Sequence, residues 1–449
     1  MTTPPKRPAV ASPQGAPPMD RQSRIPGGRL ESPAIDVPSR SLDVELFLPA
    51  AGGAEDLLAA EITRITGRPA EHARGGAWVQ GDALTAMQLN LESRLAQRVL
   101  WPVIDGPYRD EHDLYDLARR VDWAHWLTPA HTLRVDVNAQ RSPLQSLNFA
   151  ALRIKDAVCD VLRDATGERP SVDTHRPDLP LMLYLGPDHA TLYVDTSGEA
   201  LFKRGWRDAR GGRQDVKGEA PLKETLAAAM LAAAGWQGRA EDGPLLDPCC
   251  GAGTIAIEAA QMACGIAPGA LRVFAFERQL PFQPHLPAWQ TLKREAQARV
   301  HPPAVAIYAG DVSFRMTDFA TRNAERAGVK DAIEFKTADA LQRMPPAPAG
   351  VLMMNPPYGE RLAAKGTGSD AAREGFEGGG SSAEFFGGLA SHWKKHYAGW
   401  TAWLLSPDMK LPGLMRLKES RRVPMWNGPI ECRLFRIDLV AGSARTPKT

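Results

Sequence analysis

Residues 245–260 read LLDPCCGAGTIAIEAA. Leu245 and Leu246 predict a buried strand that ends in Asp247, a turn holds Gly251 and Gly253, and a helix opens at about Thr254. Glycines at the turn let the backbone approach a ligand with no Cβ in the way. The first turn of the helix offers free N–H groups to a carboxylate. A dinucleotide fingerprint would carry a third glycine where this chain has Ala256. The approach also carries Asp247, which repels a pyrophosphate and attracts an ammonium or sulfonium group. The expected ligand is therefore an amino-acid-bearing nucleoside rather than a dinucleotide. The bland alternative, a turn that only packs strand against helix, leaves the acid unexplained.

Outward from this stretch the chain alternates strand and helix. KETLAAAMLAAAGW reads as a helix, and GPLLD, AVAIYAGD, IEFKTAD, GVLMMNPP, WTAWLLSPD and CRLFRIDLV read as strands. That alternation predicts an α/β fold with a largely parallel, doubly wound sheet and a ligand at the carboxyl ends of its strands. Asp311 ends the second strand, placed to accept from ribose hydroxyls; a helix N-cap is the plainer reading. Asp339 sits at the next strand tip, within the same two readings, its ligand being an adenine amino group. Lys223, Glu224 and Thr225 follow Pro221 at a helix start, where they either border the pocket or simply cap the first turn.

The reaction is read from NPPYGER, residues 355–361. Asn355 supplies a side-chain carbonyl. Pro356 keeps a backbone carbonyl without an N–H, Pro357 stiffens the residue before it, and Tyr358 offers a face on which a base stacks. Two acceptors beside a stacking platform suit an exocyclic NH2 group, whose hydrogens they hold and whose lone pair they orient. The alternative is a Pro-Pro turn capped by Asn.

The rest of the chain sets the frame. Its 449 residues suggest two or three domains. A net charge of +2 excludes a polycation, so any nucleic-acid surface is local. No apolar run reaches the roughly 18 residues of a membrane span, and MTTPPKRPAVASPQGAPP lacks the apolar core of a secretory signal. The cysteines (159, 249, 250, 264 and 432) show neither metal-ligand spacing nor a disulfide pattern. No metal is expected, and a reducing cytoplasm is. Cys249 and Cys250 read as small packing residues, and Trp123, Trp126, Trp393 and Trp400 as packing aromatics.

Residues 1–40 read as a disordered basic tail carrying Lys6, Arg7, Arg21, Arg24, Arg29 and Arg40. Two small α+β units follow, the second containing a hairpin across Gly186, Pro187 and Asp188. A basic segment around Trp206 gathers Lys203, Arg204, Arg207, Arg210, Arg213 and Lys217, and is expected to be an RNA surface.

At these motifs the chain resembles the class I S-adenosylmethionine-dependent methyltransferases that act on exocyclic amino groups. NFAALRIKDAVCDVLRDATGERPSVD, LYVDTSGEALFKRGWRD, APLKETLAAAMLAAAGW and the closing NGPIECRLF narrow this to THUMP-domain RNA methyltransferases. The resemblance runs from about Leu42 to about Val440. It is most specific to the N-terminal half of the fused bacterial 23S ribosomal RNA guanine-N2 methyltransferases. It implies a ferredoxin-like segment over 41–105, a THUMP RNA-binding domain over 106–212 and a Rossmann-like methyltransferase domain over 213–449. It also implies S-adenosyl-L-methionine as cofactor, held at Asp247, Pro248, Gly251, Gly253 and Thr254 with Asp311 and Asp339, and catalysis at Asn355 to Tyr358.

The family pattern has Phe where this chain has Cys249, Ser at Ala252, and often an Asp at Ser313. The Gly- and Ser-rich stretch over 363–383 is longer here. The family's second catalytic half does not appear in this sequence, so one methylation is expected. The implied substrate is 23S RNA, protein-free or partly assembled. The alternatives are a transfer-RNA guanine-N2 methyltransferase, a DNA adenine-N6 methyltransferase, or a noncatalytic RNA-binding assembly factor.

Overall fold

A computed structural model of the chain describes residues 43–207, 222–356 and 382–440. The tail, Arg210, Arg213, Lys217 and Pro221, Pro357, Tyr358 and nearly all of the Gly/Ser-rich stretch lie outside these residues.

The N-terminal half runs β1 (Val44–Pro49), α1 (Glu55–Thr66), β2 (Ala70–Ala73), β3 (Gly76–Gly81), α2 (Ala83–Glu92), β4 (Leu100–Pro107), α3 (Glu111–Arg119), β5 (Thr132–Ala139), α4 (Leu147–Thr166), β6 (Ser171–Val172), β7 (Leu179–Leu185) and β8 (His189–Asp195). Local chemistry sets the helix ends. Asp82 accepts from the Thr85 amide at 2.8 Å to start α2, and Ser146 accepts from the Phe149 amide at 3.2 Å to start α4. Gly167, in the left-handed region at φ 83°, stops α4. The strands form one sheet in the order β2-β3-β1-β4-β8-β7-β5-β6.

One sheet therefore runs through both α+β units. β4 joins them, pairing antiparallel with β1 and with β8. Its sequence, LWPVIDGP, hides it: two prolines and a glycine interrupt the pattern, and the register slips between Pro102 and Ile104. The apolar spacing of ALTAMQLNLESRLAQRVLW continues past the end of α2 at Glu92, but Leu100 and Trp101 already belong to β4.

The C-terminal half runs α5 (Glu224–Ala234), β9 (Leu245–Asp247), α6 (Thr254–Ala263), α7 (Leu286–Ala298), β10 (Ile307–Asp311), α8 (Phe314–Arg326), β11 (Ile333–Thr337), β12 (Gly350–Met354), α9 (Ser382–His396), β13 (Trp400–Ser406), α10 (Leu411–Leu414), β14 (Arg421–Asn427) and β15 (Ile430–Asp438). The sheet order is β11-β10-β9-β12-β13-β15-β14. The first five strands are parallel; β15 and β14 are antiparallel. The order reverses at β9, which lies between β10 and β12, and a crevice opens at such a switch point. Asp247, Asp311 and Asn355 lie at the carboxyl ends of those three strands.

Residues 266–300, between α6 and β10, bind the two halves together. Phe274, Phe276, Phe282 and Trp289 are fully buried. Phe282 meets Trp101 of β4 edge-on, ring centroids 5.7 Å apart. Inside the joint, buried Glu258 of α6 accepts from Arg204 at 2.9 Å and from Arg94 at 3.5 Å. On the far side, the Trp426 amide of β14 donates to the Gly52 carbonyl at 3.2 Å.

Candidate active site

The centre of the site is the turn after β9. The Asp247 carboxylate is 1% exposed and accepts from the Cys249 amide at 3.2 Å. Burial pushes its pKa up to about 8; the Cys249 N–H opposes this, Asp311 adds to it, and Arg343 opposes it. The turn is stitched to β10. The Cys250 amide donates to the Gly310 carbonyl at 2.7 Å, and the Gly251 amide to the Asp311 carboxylate at 3.0 Å. Pro248 is buried between Asp247 and Cys249.

The two glycines serve different ends. Gly253, at φ 86°, caps α6, and a Cβ there would stand 3.0 Å from the Ala320 Cβ of α8, so it permits close helix packing. Gly251, at φ 52°, has only the Met316 Cε near its missing Cβ, at 4.0 Å. Open space beside Gly251 and first-turn amides without a side-chain cap make room for a ligand bearing a carboxylate.

Asp311 is not the N-cap of α8; that position is Ser313. Asp311 instead accepts from the Gly251 and Ser313 amides, each at 3.0 Å, and burial raises its carboxyl. Asp339 accepts from the Leu341 amide at 2.9 Å in the turn after β11 and is half-buried. Both acids retain lone pairs for a ligand, a carboxylate accepting about four hydrogen bonds.

Arg343 was not legible in the sequence. It lies under β10, donating to the Ala309 carbonyl at 3.0 Å, and its guanidinium occupies the space a Cβ on Gly310 would need. It is the buried cation that opposes the rise at Asp247. LQRMPP reads as a polar loop and gives no sign of this.

Asn355 and Pro356 follow β12 directly. The Asn355 Oδ1 is buried and accepts no hydrogen bond from any described residue. An acceptor left so costs about 1–3 kcal/mol, which an incoming donor recovers. Pro356 is buried beside it.

Lys223 caps α5 with its ammonium 5.1 Å from the centre of the Phe202 ring, and Thr225 is buried. Glu224 is buried, its carboxyl raised by that burial, and accepts from Arg207 Nε at 2.6 Å. The same guanidinium donates through Nη2 to the Thr254 Oγ1 at 2.5 Å.

These contacts correct the reading of the basic segment as an RNA surface, as far as it is described. Arg204 is buried against Glu258, Arg207 serves α5 and α6, and Lys203 pairs with Glu199 at 2.8 Å. None of the three is a free cation. Cys250 is buried and Cys249 half-buried, and burial followed by Asp247 and Asp311 holds both thiols well above their ordinary range. They stay protonated, which fits packing rather than nucleophilic work. Among the described residues no group of three His, Cys, Asp or Glu side chains could hold a metal ion, and no helix is long and apolar enough to cross a membrane.

A buried acid beside an uncapped helix start, two further acids on the neighbouring tips and an unpaired amide oxygen suit an amino-acid-bearing nucleoside and, next to it, an NH2 donor. Residues 210–436 match the RMKL-like methyltransferase domain, 108–195 the THUMP domain and 45–100 the RlmL ferredoxin-like domain. A protein of Psychromonas ingrahamii named ribosomal RNA large subunit methyltransferase K/L is 36% identical over 395 residues, covering 86% of this chain and 49% of that one. A Shewanella baltica protein of the same name is 36% identical over 408 residues, covering 90% and 54%. The chain thus spans about half the length of the curated relatives it matches. Among solved structures, SMU.472, complexed with SAH, superposes with a TM-score of 0.75 at 25% identity, covering 90% of this chain and all of that one. A Listeria monocytogenes protein named as an N6-adenine-specific DNA methylase gives 0.72 at 26% identity, covering 88% and 96%.

Proposed function

The chain belongs to the RMKL-like methyltransferase family, and from that premise we propose that it transfers a methyl group from S-adenosyl-L-methionine to the N2 amino group of a guanine in 23S ribosomal RNA. The observation that carries the reading is the buried, unpaired Oδ1 of Asn355 at the tip of β12. It sits one strand from the Asp247 turn, since β12 pairs with β9.

The cofactor, when bound, supplies an electrophilic methyl group. Asp247 attracts its cationic part, the open turn at Gly251 and the first amides of α6 receive its carboxylate, and Asp311 and Asp339 accept from its ribose and adenine. Asn355 Oδ1 and the Pro356 carbonyl accept the two hydrogens of the target amine. Held so, the nitrogen lone pair is aimed rather than left conjugated with the ring, and orientation of this kind lowers the barrier. The guanine must leave its stack to reach the pocket. A stacking role for Tyr358 belongs to the same proposal on sequence grounds.

The large-subunit relatives support ribosomal RNA as the substrate, and the THUMP match supports recognition of RNA by shape and backbone. Protein-free or partly assembled RNA in the cytoplasm exposes such a target. Methylation of adenine N6 is the second reading, favoured by the name of the Listeria protein. The test is to incubate the chain with labelled cofactor and either protein-free 23S RNA, finished ribosomes, transfer RNA or DNA, then digest to nucleosides. Label in N2-methylguanosine from protein-free 23S RNA is the expected result. Label in N6-methyladenosine, or in transfer RNA alone, overturns it.

A further inference from the structure

Arg204 and Arg207 are three residues apart and differ in kind. Every arm of Arg204 is spent inside the joint between the halves: Nε and Nη2 on Glu258, Nη1 on the Leu201 carbonyl, and Nη2 also on the Arg94 carbonyl. Arg207 has a side chain 22% exposed and reaches the other way, to the starts of two helices of the catalytic half. It lies 4.6 Å from the centre of the buried Trp206 ring, which fixes its plane. Its Nη1 meets no described residue.

The bond to Thr254 has a directional consequence. A guanidinium only donates, so at this contact the hydroxyl must accept. A hydroxyl has one proton, and that of Thr254 finds no acceptor among the described residues. Thr254 is the first residue of α6, beside Gly253 and the open turn at Gly251. A cation at the positive end of a helix is also unfavourable by itself. Glu224 offsets that charge at 2.6 Å, so the arrangement is built around the contact to Thr254.

We propose that Arg207 is a positioning residue for cofactor binding: by donating to Thr254 Oγ1 it fixes the hydroxyl as an acceptor on that side and leaves its single proton for the ligand. The inference rests on the cofactor reading above. It makes the segment that leaves the THUMP half part of the cofactor site, a place the β9 motif does not point to.

The test is a double-mutant cycle read by calorimetry with SAH. Arg207→Lys keeps a charge for Glu224 but lacks the planar fork whose Nε and Nη2 reach Glu224 and Thr254 together, and Arg207→Ala, Thr254→Ala and their double variant complete the set. Each single variant is expected to weaken SAH by about tenfold, the scale of one hydrogen bond to a charged group. The double variant is expected to be no weaker than the worse single, because both remove the same contact. In turnover assays the Arg207 variants should raise the cofactor KM and leave kcat at saturation within about threefold. Arg207→Lys with wild-type SAH affinity, or a double variant showing fully additive losses, overturns the inference. If the wild-type chain itself fails to bind SAH, the cofactor reading falls and takes the inference with it; a wild-type chain that binds SAH indifferently to Arg207 sinks the inference alone.

Discussion

Asp247 makes the ligand-free protein sensitive to pH in a way that binding should reverse. In an unfolded chain an Asp releases its proton near pH 3.9, whereas burial holds the Asp247 proton to about 8. Between those values the folded chain carries a proton that the unfolded chain has lost. Stability therefore falls as pH rises across this window, by up to about 1.4 kcal/mol per unit, and by no more than about 6 kcal/mol in all. A ligand ammonium paired with the carboxylate removes the penalty. Binding below pH 8 must then expel the proton, and SAH affinity should tighten by up to about tenfold per unit from pH 6 to 8, levelling above. Calorimetry at pH 6, 7 and 8, in two buffers of different ionisation enthalpy, measures both affinity and proton release. Asp247→Asn should flatten the stability profile between about pH 4 and 8 while weakening SAH at every pH. A flat SAH affinity from pH 6 to 8 without proton release would refute the reasoning, since Asp247 would then be ionised before the ligand arrives.

Other outcomes follow from neighbouring groups. Asn355→Ala should keep SAH affinity and thermal stability yet lose single-turnover rate by on the order of a hundredfold, because its buried Oδ1, unpaired among the described residues, is the proposed acceptor of the amine. Asp311→Ala should weaken SAH by about 1–3 kcal/mol in calorimetry, losing the proposed ribose acceptor and the anchor of the Gly251 amide together. Gly253→Ala should cost the fold about 2–4 kcal/mol in urea titration, from its left-handed φ and the contact with Ala320. Gly251→Ala should cost less in stability, about 1–2 kcal/mol, and more in SAH affinity, as its Cβ would enter the open space proposed for the ligand. Arg204→Ala should destabilise by about 3–5 kcal/mol, because Glu258 keeps only the longer Arg94 contact in a buried joint.

What was legible in the sequence follows burial. β9, β10, β12 and β13 read correctly because they are largely buried apolar runs, and β11 because Ile333 and Phe335 alternate with exposed Glu334 and Lys336 along IEFKT. Asp247, Gly251, Asp311 and Asn355 stand where each run breaks, so the sheet delivers them to one edge. β14 escaped notice because RRVPMWN is an edge strand, with Pro424 and two arginines where pairing is one-sided. The joint between the halves escaped it too. Phe276 and Phe282 reach Thr196 and Trp101, far from them in sequence, and no local period marks a joint assembled from distant segments. The basic stretch misled because a count of charges does not distinguish a cation in water from one whose carboxylate waits on another helix. Glu258 and Glu224 lie 54 and 17 residues beyond their arginines.

The loop at Gly52 and Gly53 limits how this architecture tolerates recombination. Gly53, at φ 81°, has the Pro424 carbonyl in the place of a side chain, and a Cβ on Gly52 would come within 2.9 Å of the Trp426 indole. A chimera that took its first two hundred residues from a relative would keep the eight-stranded sheet intact. It would still jam if either glycine were replaced, because the obstruction lies on a hairpin nearly four hundred residues away. Transplanting the N-terminal half therefore means carrying its lock with it: the Gly-Gly turn, β14, and the aromatic segment 266–300 travel as one heritable unit, although the chain writes them in three separate places.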